Sequence, residues 1–211
     1  MPLVSIIINS NRKADTETYD TGKAGLKERK KEIFVCPEPL RAVPPEGIQD
    51  FDGESLGDPT QDGEYVMETF QYYKDREAQF QVGDYISQQL EITEAMRAIL
   101  VDWLVEVQES FELNHETLYT AVKLMDIFMS RQRVSKDQLQ LVGATAALIA
   151  CKTDERIPPN LDDFVYVCDD AYTRKDIVRK ELEMVEVAGF DVGYPLSYRF
   201  LRRFGRVSRF Y

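Results

Sequence analysis

Residues 139–150 read LQLVGATAALIA, a run that is apolar on every side when drawn as a helix. Gly143, Ala144, Ala146, Ala147 and Ala150 are small enough to let neighbouring helices approach closely. A helix of this kind needs apolar cover all round, so it belongs at the centre of a bundle. A membrane span is the alternative, but the run falls short of the ~20 residues a bilayer requires and is flanked by Gln138, Gln140 and Lys152.

Upstream, residues 96–107 read MRAILVDWLVEV. At about 100° per residue this stretch is apolar around most of its circumference. Asp102 and Glu106 hold the polar sector, with Met96, Ile99 and Trp103 beside it, while Arg97 falls between Val101 and Leu104 inside the apolar arc. Such a helix is buried on one side, carries a charge that needs an internal partner, and shows an apolar strip next to acids. The strip reads either as core or as a docking surface.

Local punctuation places the other elements. The stretch YVMETFQYYKDREAQF at residues 65–80 predicts an amphipathic helix leading into five more. Thr93 can cap the first of the five, which is expected to run to about Glu112; Asn114 can cap the second (115–130) and Ser135 the third (136–153). Pro158-Pro159 forces a break, Asn160 can cap a short fourth helix to Cys168, and the fifth runs from about Thr173 to Gly189, a C′ glycine. A further amphipathic pattern (Leu196, Phe200, Leu201, Phe204) begins after Pro195. No strand pattern emerges, so the fold class is all-α with short connections. Residues 1–63 are polar and rich in Pro and Gly, with Pro37, Pro39, Pro44, Pro45 and Pro59 breaking any long element, and are expected to form a disordered arm.

Two more ionisable residues interrupt apolar faces. Asp126 projects between Tyr119 and Val122 on the second helix and is the natural counter-charge for Arg97. Glu181 projects among Ile177, Val178, Met184 and Val185 on the fifth, and Lys152 ends the third. These two either bridge the bundle or sit at its edge awaiting a partner; periodicity does not choose.

Composition narrows the function. The 211 residues carry a formal charge of −11, which disfavours nucleic-acid binding by phosphate neutralisation. The basic cluster Lys27-Glu28-Arg29-Lys30-Lys31 reads as a solvated charge run before it reads as a nuclear-import signal. Three cysteines (Cys36, Cys151, Cys168) lack metal-ligand spacing and point to a reduced, intracellular chain. The sole histidine, His115, opens a helix, and no phosphate loop, nucleophile motif or metal cluster is present, so no catalytic residue, metal or cofactor is expected.

Taken together, MRAILVDWLVEV, ETLYTAV (116–122), LQLVGATAALIACK (139–152), Pro158-Pro159, DFVYVCDDAYT (163–173) and FLRRF (200–204) resemble the cyclin family. The segments QVGDYISQQLEITEAMRAIL and VQESFELNHETLY are especially similar to mitotic B-type cyclins of the third subtype. The resemblance implies a cyclin box, a five-helix bundle around a central third helix, over residues 64–195, and the truncated start of a second cyclin fold over 196–211. Family-invariant positions fall on Arg97, Asp126, Leu141, Lys152 and Glu181. It implies a buried ion pair for Arg97 and Asp126, and a kinase-binding role for Lys152 and Glu181, hydrogen-bonding the backbone at the start of the kinase C-helix. It further implies that Met96, Ile99, Leu100, Trp103, Glu106, Leu139 and Gln140 form a patch docking substrates or inhibitors with an Arg-x-Leu-type motif. The implied role is a regulatory subunit, without enzyme activity, that binds and activates a cyclin-dependent kinase during mitosis, in the nucleus and also the cytoplasm, with neither nucleic acid nor membrane as partner. A binding module that does not activate is the alternative. Departures are Ile127, where an arginine is usual after Asp126, Thr153-Asp154-Glu155 in place of an aromatic-acid-acid run, and a tail without destruction motifs.

Overall fold

Burial of one helix on all sides organises the structure. The computed structural model describes residues 44, 46–47, 49–58 and 63–208, and these contain seven α-helices and no strand. They are α1 (Val66–Glu77), α2 (Glu94–Ser110), α3 (His115–Arg131), α4 (Leu139–Asp154), α5 (Leu161–Val167), α6 (Arg174–Val187) and α7 (Ser197–Ser208). Every residue of α4 from Leu141 to Cys151 is buried, and α2, α3, α5 and α6 all pack against it. Phe128, Leu124 and Met125 of α3, Phe164 of α5, and Ile177 and Met184 of α6 fill the surrounding space.

Gly143 sets the closest approach. A Cβ added there would lie 2.8 Å from Leu100 Cδ1 and 3.2 Å from its Cγ, so α2 rides directly over the glycine. Leu100 is itself buried and has little room to yield.

Two of the four expected caps form, at Thr93 and Asn160, and Thr173 adds one that was expected only as a helix start. Thr93 Oγ1 accepts from Met96 N at 3.3 Å. Asp163 reaches back to Asn160 N at 2.7 Å, and Thr173 and Asp176 cap reciprocally at the start of α6. Asn114 and Ser135 make no side-chain cap. At α3 the acceptor comes from the far end of α4 instead: Glu155 takes hydrogen bonds from Asn114 N (2.7 Å), Asn114 Nδ2 (2.9 Å) and Thr117 Oγ1 (2.5 Å). A carboxylate there also meets the positive end of the α3 dipole. Before α4 the chain makes a 3-10 turn, Lys136–Gln138, in place of the first α-helical turn expected after Ser135.

The flanks of the bundle are tied to each other across long sequence distances. Arg76 of α1 donates to both oxygens of Asp191 (2.7 and 2.6 Å), and Phe80 meets Tyr194 edge-on. Arg203 of α7 donates to both oxygens of Asp52 (3.0 and 2.9 Å). Asp52 lies beside the 3-10 turn Gly53–Ser55, and Ser55 is buried. Order therefore reaches into the span expected to be a disordered arm, because an acidic turn there meets the arginines of α7; the remainder of that arm lies outside the described residues. Phe200 packs between Phe70 and Tyr73, whereas Phe204 of the same amphipathic pattern is exposed.

Gly143→Val forces three added carbons against Leu100, and we expect it to lower unfolding free energy by about 2–3 kcal/mol, read as the urea midpoint at unchanged m-value. A midpoint equal to the parent's would mean that α2 does not depend on this approach.

Candidate functional site

Three constellations carry charge or apolar surface to places where folding alone does not demand it. The first is an internal clamp between α2 and α3. Arg97 Nε donates to Asp126 Oδ1 at 2.8 Å and Nη2 to Oδ2 at 2.7 Å, a bidentate pair. Tyr85, buried on the segment before α2, donates its hydroxyl to Asp126 Oδ1 at 2.5 Å and accepts from Arg97 Nε at 3.1 Å. Burial and the facing carboxylate push the Tyr85 hydroxyl well above the usual phenol range, so it stays a donor. The Asp126 carboxylate holds Arg97 even more firmly protonated than usual, outweighing the opposing effect of burial. Sequence periodicity signals Arg97 and Asp126; Tyr85 lies outside any helix and gives no periodic cue.

The second constellation is on α4 and α6. Lys152 Nζ lies 2.5 Å from Glu181 Oε1, so the pair bridges the bundle rather than standing open. Their side chains keep 19% and 7% of their surface in solvent. The picture of two exposed groups at the bundle edge is corrected for Glu181, which its own chain mostly covers because it projects among core residues. Among the described residues the contact uses one of three ammonium donors and one of two carboxylate oxygens, leaving hydrogen-bonding capacity on both.

Exposed apolar side chains occur on the same helix as Glu181 and just beyond its end. Val178 and Leu182, one turn apart on α6 and on the solvent side of Glu181, are 49% and 48% exposed. Beyond the end of α6, Phe190 takes φ 59° while its N–H closes the helix on Val185 O at 2.9 Å. A bulky residue in the left-handed region is strained, yet Phe190 remains 48% exposed, so its own fold gains little from it. Ile157, on the segment before α5, and Tyr166, within α5, are exposed further still. None of these five was singled out by sequence as surface; only burial distinguishes them from core.

The third constellation is the α2 strip. Ile99 is largely exposed, Met96, Trp103 and Gln140 are half-buried, and Glu106 is exposed. Leu100 and Leu139 are buried, which corrects their expected place on the surface: Leu100 is pressed over Gly143, so the two leucines form a floor and not a contact face.

Reactive chemistry has little foothold. Burial pushes the thiol of Cys151 up to about 12 and that of Cys168 up to about 11, so neither is a thiolate near neutral pH. Among the described residues no group of His, Cys, Asp or Glu is placed to hold a metal, and no helix is long and apolar enough to cross a membrane.

Known proteins resemble this chain in sequence and fold. The family model described as cyclin, N-terminal domain, matches residues 68–193. The chain is 51% identical over 183 residues to the G2/mitotic-specific cyclin-B3 of Drosophila melanogaster, covering 84% of this chain and 32% of that protein. It is 51% identical over 175 residues to the G2/mitotic-specific cyclin-B3 of Gallus gallus, covering 83% and 43%. Among solved structures, a viral cyclin from herpesvirus saimiri superposes with a TM-score of 0.59 at 26% identity, over 64% of this chain and 59% of the other. The chain thus spans between about a third and under half of the length of these curated relatives.

The clamp generates an ordering of stabilities. Tyr85→Phe removes a hydrogen bond to a charged group, and the loss expected in chemical denaturation is about 1.5–3 kcal/mol. Asp126→Ala strands Arg97, one-third exposed, and should lose about 3 kcal/mol or more. Combining the two should give less than the sum, since both act on Asp126. A neutral Tyr85→Phe would remove the hydroxyl from the clamp.

Proposed function

From the membership of this chain in the cyclin family, we propose that it is a regulatory subunit that binds a cyclin-dependent protein kinase in mitotic control and holds it in its active state. The observation that carries the reading is the Lys152–Glu181 pair with spare hydrogen-bonding capacity, set beside the exposed side chains of Val178, Leu182 and Phe190. Such a surface suits a helix of another chain: apolar side chains take its apolar face, while an ammonium and a carboxylate meet unpaired backbone groups at its end. Strain held at the exposed Phe190 agrees with a contact made outside the chain.

In this role the chain performs no chemistry. A kinase needs its C-helix glutamate paired with a lysine that holds ATP phosphates. A partner that binds only the inward C-helix shifts the population by its difference in affinity for the two states. Moving that balance from 1:99 to 99:1 takes about 5.5 kcal/mol. Burial of the α6 surface with its charged pair supplies an interaction of this order, and the pair's geometry, fixed by α4 and α6, needs no rearrangement.

The α2 strip is proposed to dock substrates or inhibitors, with Ile99, Met96 and Trp103 receiving an apolar side chain and Glu106 a basic one. The proposed place of action is the nucleus and cytoplasm of dividing cells. A second reading is a module that binds the kinase without activating it; the phosphorylation assay below separates the two.

Leu182→Asp leaves the core untouched, and we expect it to weaken binding to a purified mitotic cyclin-dependent kinase at least about tenfold with unchanged circular dichroism. Undiminished binding by this variant would rule out the α6 surface. A histone phosphorylation assay with the parent chain separates activation from binding alone. Trp103→Ala should reduce docking-peptide affinity more than kinase affinity; equal losses would merge the two surfaces into one.

A further inference from the structure

Where the end of α1 and the start of α7 meet α2 and α3, the side chains leave a cavity of about 520 Å³. Phe80, Val101, Leu118, Val122, Leu196 and Phe200 give it a mainly apolar lining. Phe80 closes the 3-10 turn that follows α1, Leu196 leads into α7, and Leu118 and Val122 stand one turn apart on α3. Val101 lies about 200° round α2 from Ile99, so the cavity and the α2 strip occupy opposite sides of that helix. The volume falls within the roughly 300–1,000 Å³ of small-molecule sites.

Three charged side chains share the lining: Glu77, Lys123 and Asp126. They are not equivalent. The Asp126 carboxylate is already committed to Arg97 and Tyr85, which neutralise it and hold both of its oxygens. Glu77 is exposed and keeps its hydration. Lys123 is half-buried, and among the described residues it has neither a hydrogen bond nor an ion pair. An ammonium partly withdrawn from water without a partner is costly, and beside an apolar cavity it is complementary to an anion. A peptide is a poor occupant, because its backbone N–H and C=O groups would meet walls of hydrocarbon and aromatic side chains.

We propose that this cavity binds a small amphiphilic acid, an aromatic or acyl body of about twenty non-hydrogen atoms whose single anionic group pairs with Lys123. The apolar body touches α2, α3, α7 and the turn after α1 together. Binding therefore fastens the outer helices to the bundle and stabilises the folded chain by mass action. Neither the α6 surface nor the α2 strip contributes a residue to the cavity. The inference is thus independent of kinase binding and of peptide docking, and its failure would leave both readings untouched.

The test uses the full chain and two fluorescent molecules with one apolar body, the anion anilinonaphthalenesulfonate and its uncharged counterpart phenylnaphthylamine. Titration should show a single saturable site for the anion with a dissociation constant on the order of 10⁻⁵ M, usual for a ligand of this size, and about tenfold weaker binding of the uncharged molecule. Lys123→Gln should bring the anion down to the affinity of the uncharged molecule and leave the latter unchanged, with the near-ultraviolet circular dichroism of the parent. Intermolecular nuclear Overhauser effects should run from the bound naphthalene ring to the methyl groups of Val101, Leu118 and Val122. Equal affinities for the two molecules in the parent chain overturn the proposal, as does an anion affinity indifferent to Lys123→Gln. So do Overhauser contacts to Ile99, Leu182 or Leu201 in place of the cavity methyl groups, which would put the molecule on an exposed surface. Absence of binding at about 1 mM has the same force.

Discussion

Helix α4 has no side that water can wet. From Leu141 to Cys151 each residue is covered, and that single requirement obliges α2, α3, α5 and α6 to take up positions around it. The small residues of α4 then determine how near its neighbours come, with Leu100 resting where a Cβ at Gly143 would be. Both proposed binding surfaces inherit their rigidity from this. Lys152 emerges in the last turn of α4 after a fully packed run, and the floor of the α2 strip is the same Leu100 that touches the glycine.

Charges inside the bundle act as locators rather than as sources of net stability. The Arg97–Asp126 pair fixes α2 against α3 in register, and Tyr85 adds the segment before α2 to that clamp. Lys152 and Glu181 relate α4 and α6 in the same way, but at a margin where each keeps an unused hydrogen-bonding position. A buried pair at the edge of an apolar surface is organised before any partner arrives, which reduces the entropy lost on binding. Phe190 differs in kind: it is held in an unfavourable backbone conformation with half its surface in water.

The helices were legible because each has a regular apolar period and a local start or stop signal. Thr93, Asn160-Asp163, Thr173-Asp176 and Gly189 all act within a few residues of the ends they mark. What escaped is what arrives from a distance. Glu155 serves the start of α3 from 41 positions away, and Tyr85 approaches Asp126 from an irregular segment, so neither leaves a periodic trace. Periodicity did separate Ile99, beside the acids, from Leu100, deep in the apolar arc; what it could not give is how far Ile99 stands out, which depends on the helices packed around α2. For α7 the pattern announces an amphipathic helix but not that its arginine side would be the one turned inward, since that depends on Asp52 and Glu116 lying opposite.

The ties between distant parts of the chain have a kinetic consequence. Arg76–Asp191 and Arg203–Asp52 join residues 115 and 151 positions apart, whereas the helices around α4 are linked by short connections. Closing such long loops is entropically slow, so these fastenings form once the centre already exists. In the finished protein the order reverses. The outer helices α1 and α7, held by these ties, are expected to open before the centre does, and their amides should exchange with solvent by sub-global opening rather than by complete unfolding.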